Sequence, residues 1–135
     1  MANPEIAEIQ EYIQRLILAT RSGEMKWITA NPTTYSWDTP MGAPQRARLT
    51  LQRVEVKEGG LAGLVSVGGV LVPKVSHSYV LQAFEFVGTG IMPRITVSGT
   101  EYPELKDQME SLFELITSEK KRKELDFLKS IVPKS

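Results

Sequence analysis

The sequence predicts one α+β domain over residues 1–135, with an N-terminal helix, an antiparallel sheet of four to five strands and two C-terminal helices. Three observations carry this. Apolar residues recur at helical spacing near both ends. Between them lie β-branched and aromatic runs punctuated by glycine pairs, the pattern of strands and hairpins. The length and a hydrophobic fraction of 41% suit one core rather than two domains or a disordered chain.

The first helix is signalled by Asn3 as a cap, Pro4 at the first turn, and Ile6, Ile9, Ile13, Leu16 and Ile17 on one face. Gly23 supplies its C-terminal stop. Met25 to Thr29 reads as a short strand. Ala30 to Gln45, rich in Asn, Pro, Thr and Gly, reads as a long loop carrying the rings of Tyr35 and Trp37.

Ala47 to Val56 is a long strand whose apolar face switches partway, from Leu49 and Leu51 to Val54 and Val56. A bulge near Gln52, or burial on both faces, would explain the switch. Glu58-Gly59-Gly60 marks a turn, Leu64 to Val72 a strand interrupted by Gly68-Gly69, and His77 to Val87 the strongest strand. Gly88-Thr89-Gly90 is hairpin chemistry leading into Pro93 to Val97.

Ser98 or Thr100 can cap a helix built on Leu105, Met109, Leu112, Phe113 and Ile116. Ser118 and Glu119 open a further helical stretch through Leu125, Leu128, Ile131 and Val132, which Pro133 ends. Strands with apolar residues on both faces need two covers, so a homodimer or higher homo-oligomer is expected.

Composition narrows the function. Sixteen basic residues balance sixteen acidic ones, which argues against a domain built to neutralise a nucleic-acid backbone. The chain has no cysteine, which removes disulfides, thiolate metal sites and a cysteine nucleophile and fits a cytoplasmic location. Its first residues alternate acid with apolar, unlike a signal peptide, and no stretch is long enough to span a bilayer.

The sequence offers little to catalysis. The single histidine, His77, lies between serines on a strand, without the turn that presents a nucleophilic serine. The glycine pairs lack the lysine and the strand-to-helix context of a phosphate loop. The expectation is a binding protein, not an enzyme, with no metal and no cofactor.

Cations and rings are the remaining chemistry. Lys120-Lys121-Arg122-Lys123 is the densest charge run, Arg46 and Arg48 leave the aromatic loop, and Arg94 opens the last strand. If such groups meet Trp37 or Phe84, cationic edges and stacking rings would suit a nucleotide-like ligand. A protein-interaction module, acting through a sheet edge or the last helix, is the alternative.

Three segments carry a resemblance: Leu18 to Trp27, which holds "AT-x-x-G" followed by a tryptophan; Tyr79-Val80-Leu81; and Leu112-Phe113-Glu114-Leu115-Ile116. Together they resemble a group of small bacterial and phage proteins that includes the Thoeris anti-defence sponges. Those sponges capture cyclic ADP-ribose isomers and, in some members, cyclic oligonucleotides. The resemblance implies sequestration of a cyclic nucleotide-type signal without turnover, in the host cytoplasm if the chain is phage-encoded. In that reading Trp37 or Phe84 stacks on a base, and Arg48, Arg94, Lys120 and Arg122 hold the anionic groups.

Overall fold

The computed structural model describes residues 4–57, 64–73 and 75–133. Among them the order is α1 (Pro4–Ser22), β1 (Ile28–Asn31), β2 (Thr34–Asp38), β3 (Ala47–Lys57), β4 (Leu64–Val67), β5 (Val70–Pro73), β6 (Val75–Val87), β7 (Gly90–Ser98) and α2 (Pro103–Ile131). Five strands form one antiparallel sheet in the order β1-β2-β3-β6-β7, and β4 and β5 pair as a separate hairpin. The α+β class is as the sequence predicts. The expected Asn3 cap and the Glu58-Gly59-Gly60 turn lie outside the described residues.

Alternation decides which sheet face is core. Tyr35, Leu51, Leu81 and Val97 are register neighbours across β2, β3, β6 and β7, and all four are buried. Both helices lie on this side. Helix α1 contributes Ile13 and Ile17, and α2 contributes Leu105, Met109, Leu112, Phe113 and Ile116, the positions its periodicity singles out. The Phe113 ring meets Tyr35 at 4.9 Å and Tyr79 at 5.5 Å between centroids, both tilted.

The helices run alongside each other in the same direction. The Gln108 side-chain amide donates to the Gln10 carbonyl near their starts, and Thr20 and Ile116 line a common cavity near the end of α1. Gly23, at φ 87°, stops α1 in a left-handed conformation that a side chain would strain.

Five expectations need correction. The strand expected at Met25 to Thr29 runs instead over Ile28–Asn31, with Met25 and Trp27 before it. The C-terminal region is one unbroken helix of 29 residues, not two. Ser118-Glu119 resembles a helix start, but no glycine or proline precedes it, so the good helix formers around it simply continue. The supposed loop contains β2, paired in register with β3 from Thr34↔Gln52 to Asp38↔Arg48. A turn built on Asn31, whose side-chain oxygen accepts from the Thr33 backbone N–H at 3.0 Å, sends the chain back along β1.

Strand β3 has no bulge at Gln52, since its pairing with β6 is regular from Ala47 to Lys57. The faces instead change chemistry, with Arg53 on the helix side beneath Phe113, its guanidinium 5.3 Å from the ring centre. The pairing irregularities fall between Thr29 and Asn31 and between Ala83 and Phe84. Finally, α2 has no Ser98 or Thr100 cap. Tyr102 takes the cap position without a side-chain bond, and Pro103 begins the helix.

Candidate functional site

The end of α1, the segment leading into β1, and the middle of α2 enclose a cavity of about 280 Å³. Among the described residues, its cations are Arg21, Lys26, Lys120, Arg122 and Lys123, and its one carboxylate is Glu119. Five positive groups against one negative leave a local surplus of four charges in a chain that is neutral overall. Arg122 pairs with Glu119 at 2.7 Å. Among the described residues, Arg21, Lys26, Lys120 and Lys123 have no carboxylate within ion-pair distance.

The wall is apolar and fixed. Met25, Trp27 and Ile116 are buried. The Trp27 indole N–H donates to the Thr20 hydroxyl at 2.9 Å, and that hydroxyl donates to the Leu16 carbonyl at 2.7 Å. Two bonds through one oxygen therefore lock the ring against α1.

A helix C-terminus ordinarily repels anions through its free carbonyls. Here two of those carbonyls, Ala19 and Thr20, are occupied. Gly23 N–H donates to Thr20 O, and Glu24 and Met25 N–H both donate to Ala19 O, at 3.0–3.2 Å. The Lys120 ammonium sits 5.9 Å from the Tyr35 ring centre. The Tyr35 hydroxyl is itself held at 2.7 Å by Thr117.

Of the six residues singled out in the sequence, Lys120 and Arg122 meet in this cavity. The other four do not join them. Arg48 and Phe84 are register partners on the opposite sheet face. There Arg48 makes a two-pronged bond to Asp38 at 2.7 and 3.1 Å. The Arg46 and Arg48 guanidinium groups lie 5.2 and 5.3 Å from the Phe86 ring centre. Arg94 is paired with Glu85. Trp37 is half-buried on the helix side and borders a shallow depression with Glu24 and Lys26.

Charge pairing on the outer face shows in its titration. The hydrogen bond from Arg48 holds the Asp38 carboxyl below its ordinary value, against the opposing effect of burial. The same bond raises Arg48.

Sequence reasoning missed Arg21, Lys26 and the Trp27 wall as partners of Lys120, while Lys123 stands in the Lys120–Lys123 run. Arg21 and Lys26 flank Gly23, where cations are common as helix-end complements, so nothing local marked them as a site. His77 is exposed, opposite Glu55 on β3, and does not line the cavity. No family model, curated protein or solved structure matches the chain. Fold and site together define a small α+β domain with a cationic, ring-walled cavity beside its paired helices.

Proposed function

We propose that the chain is a binding protein that captures a small anionic, nucleotide-type ligand in the cavity between α1 and α2 and does not turn it over. The observation that carries this reading is the surplus of four positive charges against an apolar wall. Arginine forks and lysine ammonium groups pair with phosphate oxygens, and a buried tryptophan beside them offers apolar contact to a base or ribose. At about 280 Å³ the cavity lies at the small end of ligand sites, so it would hold the phosphate end of a nucleotide and leave the rest at its mouth.

The resemblance to the anti-defence sponges supports the finer proposal, a cyclic ADP-ribose isomer or cyclic oligonucleotide held as an immune signal in the cytoplasm. Sequestration without turnover agrees with a lining whose two hydroxyls are occupied. Thr20 holds Trp27, and the Ser22 hydroxyl donates to the Ala19 carbonyl at 3.0 Å. A sponge must outcompete a receptor, which calls for nanomolar affinity, roughly −12 kcal/mol.

The test is a thermal-shift panel of cyclic ADP-ribose isomers, cyclic dinucleotides and cyclic trinucleotides. A ligand present at about a hundred times its dissociation constant adds about 2.7 kcal/mol of stability. A shift that Lys120→Ala and Arg122→Ala abolish is the expected result. A panel without any shift overturns the reading.

A second reading, a protein-interaction module, is favoured by the exposed end of α2, where residues 121–131 all face solvent.

A further inference from the structure

The distal turns of α2 carry an apolar stripe with no cover among the described residues. Leu125, Phe127, Leu128, Ile131 and Val132 are each 50–66% exposed. At 100° per residue they fall within one arc that also holds Lys121 and Glu124, while Arg122, Lys123, Asp126, Lys129 and Ser130 fall on the other side. A second uncovered surface lies between α1 and the sheet. It is an apolar groove of about 320 Å³ walled by Ile9, Tyr12 and Leu16 on one side and Leu49, Ala83 and Ile95 on the other. Tyr12 and Ile95 are half exposed there.

One molecule cannot join these two surfaces. The helices run in the same direction, and α1 ends at Ser22 beside Glu119 and Lys120. Residues 121–132 therefore continue past α1 for about 18 Å, at the usual helical rise of about 1.5 Å per residue. The groove lies back along α1, at Ile9 to Leu16, and α2 has no break that would let it turn.

We propose that the distal α2 segment of one chain docks in the α1–sheet groove of a second copy, and that two copies exchange these segments across a two-fold axis. The area suffices for a stable pair. Five side chains expose on the order of 500 Å² of apolar surface per segment, and two segments with two grooves bring the interface to on the order of 2,000 Å². A reciprocal exchange closes on itself and leaves neither surface open to further copies.

Sedimentation of the full chain without any ligand tests this independently of the cavity. The wild-type chain is expected to sediment as a dimer at micromolar concentration. Leu128→Asp in the segment and Ile95→Asp in the groove, both at exposed positions, are each expected to sediment as monomers. The chain has no cysteine of its own, so introduced thiols report without background. Mixing Tyr12→Cys with Phe127→Cys is expected to give a disulfide-linked pair. A monomeric wild-type chain overturns the proposal. So does a dimer that survives Ile95→Asp, or cross-linking of Phe127→Cys only to itself, either of which would mean that the helices pair end to end.

Discussion

Two regions of this molecule gather arginine and lysine beside aromatic rings, and they differ in what the cations are paired with. On the outer sheet face Arg48 is bound to Asp38, and Arg46 and Arg48 rest on Phe86, while towards the β6–β7 turn Arg94 is bound to Glu85. In the cavity between α1 and α2, four of five cations have no carboxylate partner among the described residues. A cation already held by a carboxylate has little left to offer a ligand, since binding would first break the pair. The cavity is therefore the better site, although the outer face also holds residues that stand out in the sequence, Arg48 and Phe84.

The largest expected effect separates the two regions by affinity. Replacing Arg21 and Lys120 together by alanine should weaken the ligand found in the panel by roughly a hundredfold, about 2.7 kcal/mol, as expected for two charge-assisted hydrogen bonds. Replacing Arg48 and Arg94 together should change it less than about threefold. Calorimetric titration of both double variants checks the contrast.

Next comes the wall. Thr20→Val leaves the buried Trp27 N–H without its acceptor and should cost about 1–3 kcal/mol in denaturant unfolding. If the ring also shifts, ligand affinity falls with it, whereas Asp38→Asn should leave affinity alone.

Gly99 provides a control remote from both regions. A Cβ there would lie 2.8 Å from the Ser78 hydroxyl and 3.3 Å from the Lys106 Cβ. Gly99→Ala should therefore cost about 1–3 kcal/mol of stability by overpacking without changing specificity.

The smallest effect is the pH dependence of the outer pair. Because the Asp38 carboxyl is depressed in the fold, its contribution is present above the ordinary carboxylate pKa and is lost as pH falls through the depressed value. Both side chains are more than a third exposed, so Asp38→Asn should cost only about 0.2–1 kcal/mol at neutral pH and flatten the acid limb. Tyr79 tilts the alkaline limb instead. Burial chiefly, then Glu110, raises its phenol, against the pull of Arg53, so stability should fall as pH rises above its ordinary value. Tyr79→Phe should remove that slope.

The contrast between the two regions also explains what was legible in the sequence. The α1 stripe, the long strand β6 and the buried positions of α2 follow from periodicity, because the core itself imposes that spacing. Strand β2 was hidden because its five alternating residues, Thr34-Tyr35-Ser36-Trp37-Asp38, sit between Asn-Pro and Thr-Pro pairs that read as loop. The continuity of α2 was hidden because Ser118-Glu119 has the chemistry of a helix start, although the helical spacing of Leu125, Leu128 and Ile131 was legible.

The site was half legible. Lys120 and Arg122 stand in a conspicuous run, but Arg21 and Lys26 come from about a hundred residues away in the chain and meet them only because α1 and α2 lie side by side. Neither the spacing nor the composition of either segment encodes that meeting. The Asp38–Arg48 pair, by contrast, depends on the β2–β3 register, which no reading of 30–45 as a loop could supply.

The most direct measurement is the affinity of the wild-type chain for cyclic ADP-ribose isomers and cyclic dinucleotides by calorimetry, repeated with Arg21→Ala/Lys120→Ala and with Arg48→Ala/Arg94→Ala. Tight binding of one ligand that the first pair of substitutions removes and the second leaves intact is the predicted result. Binding that follows Arg48 and Arg94 instead, or no binding by the wild-type chain, would contradict the assignment of the site to the cavity between the helices.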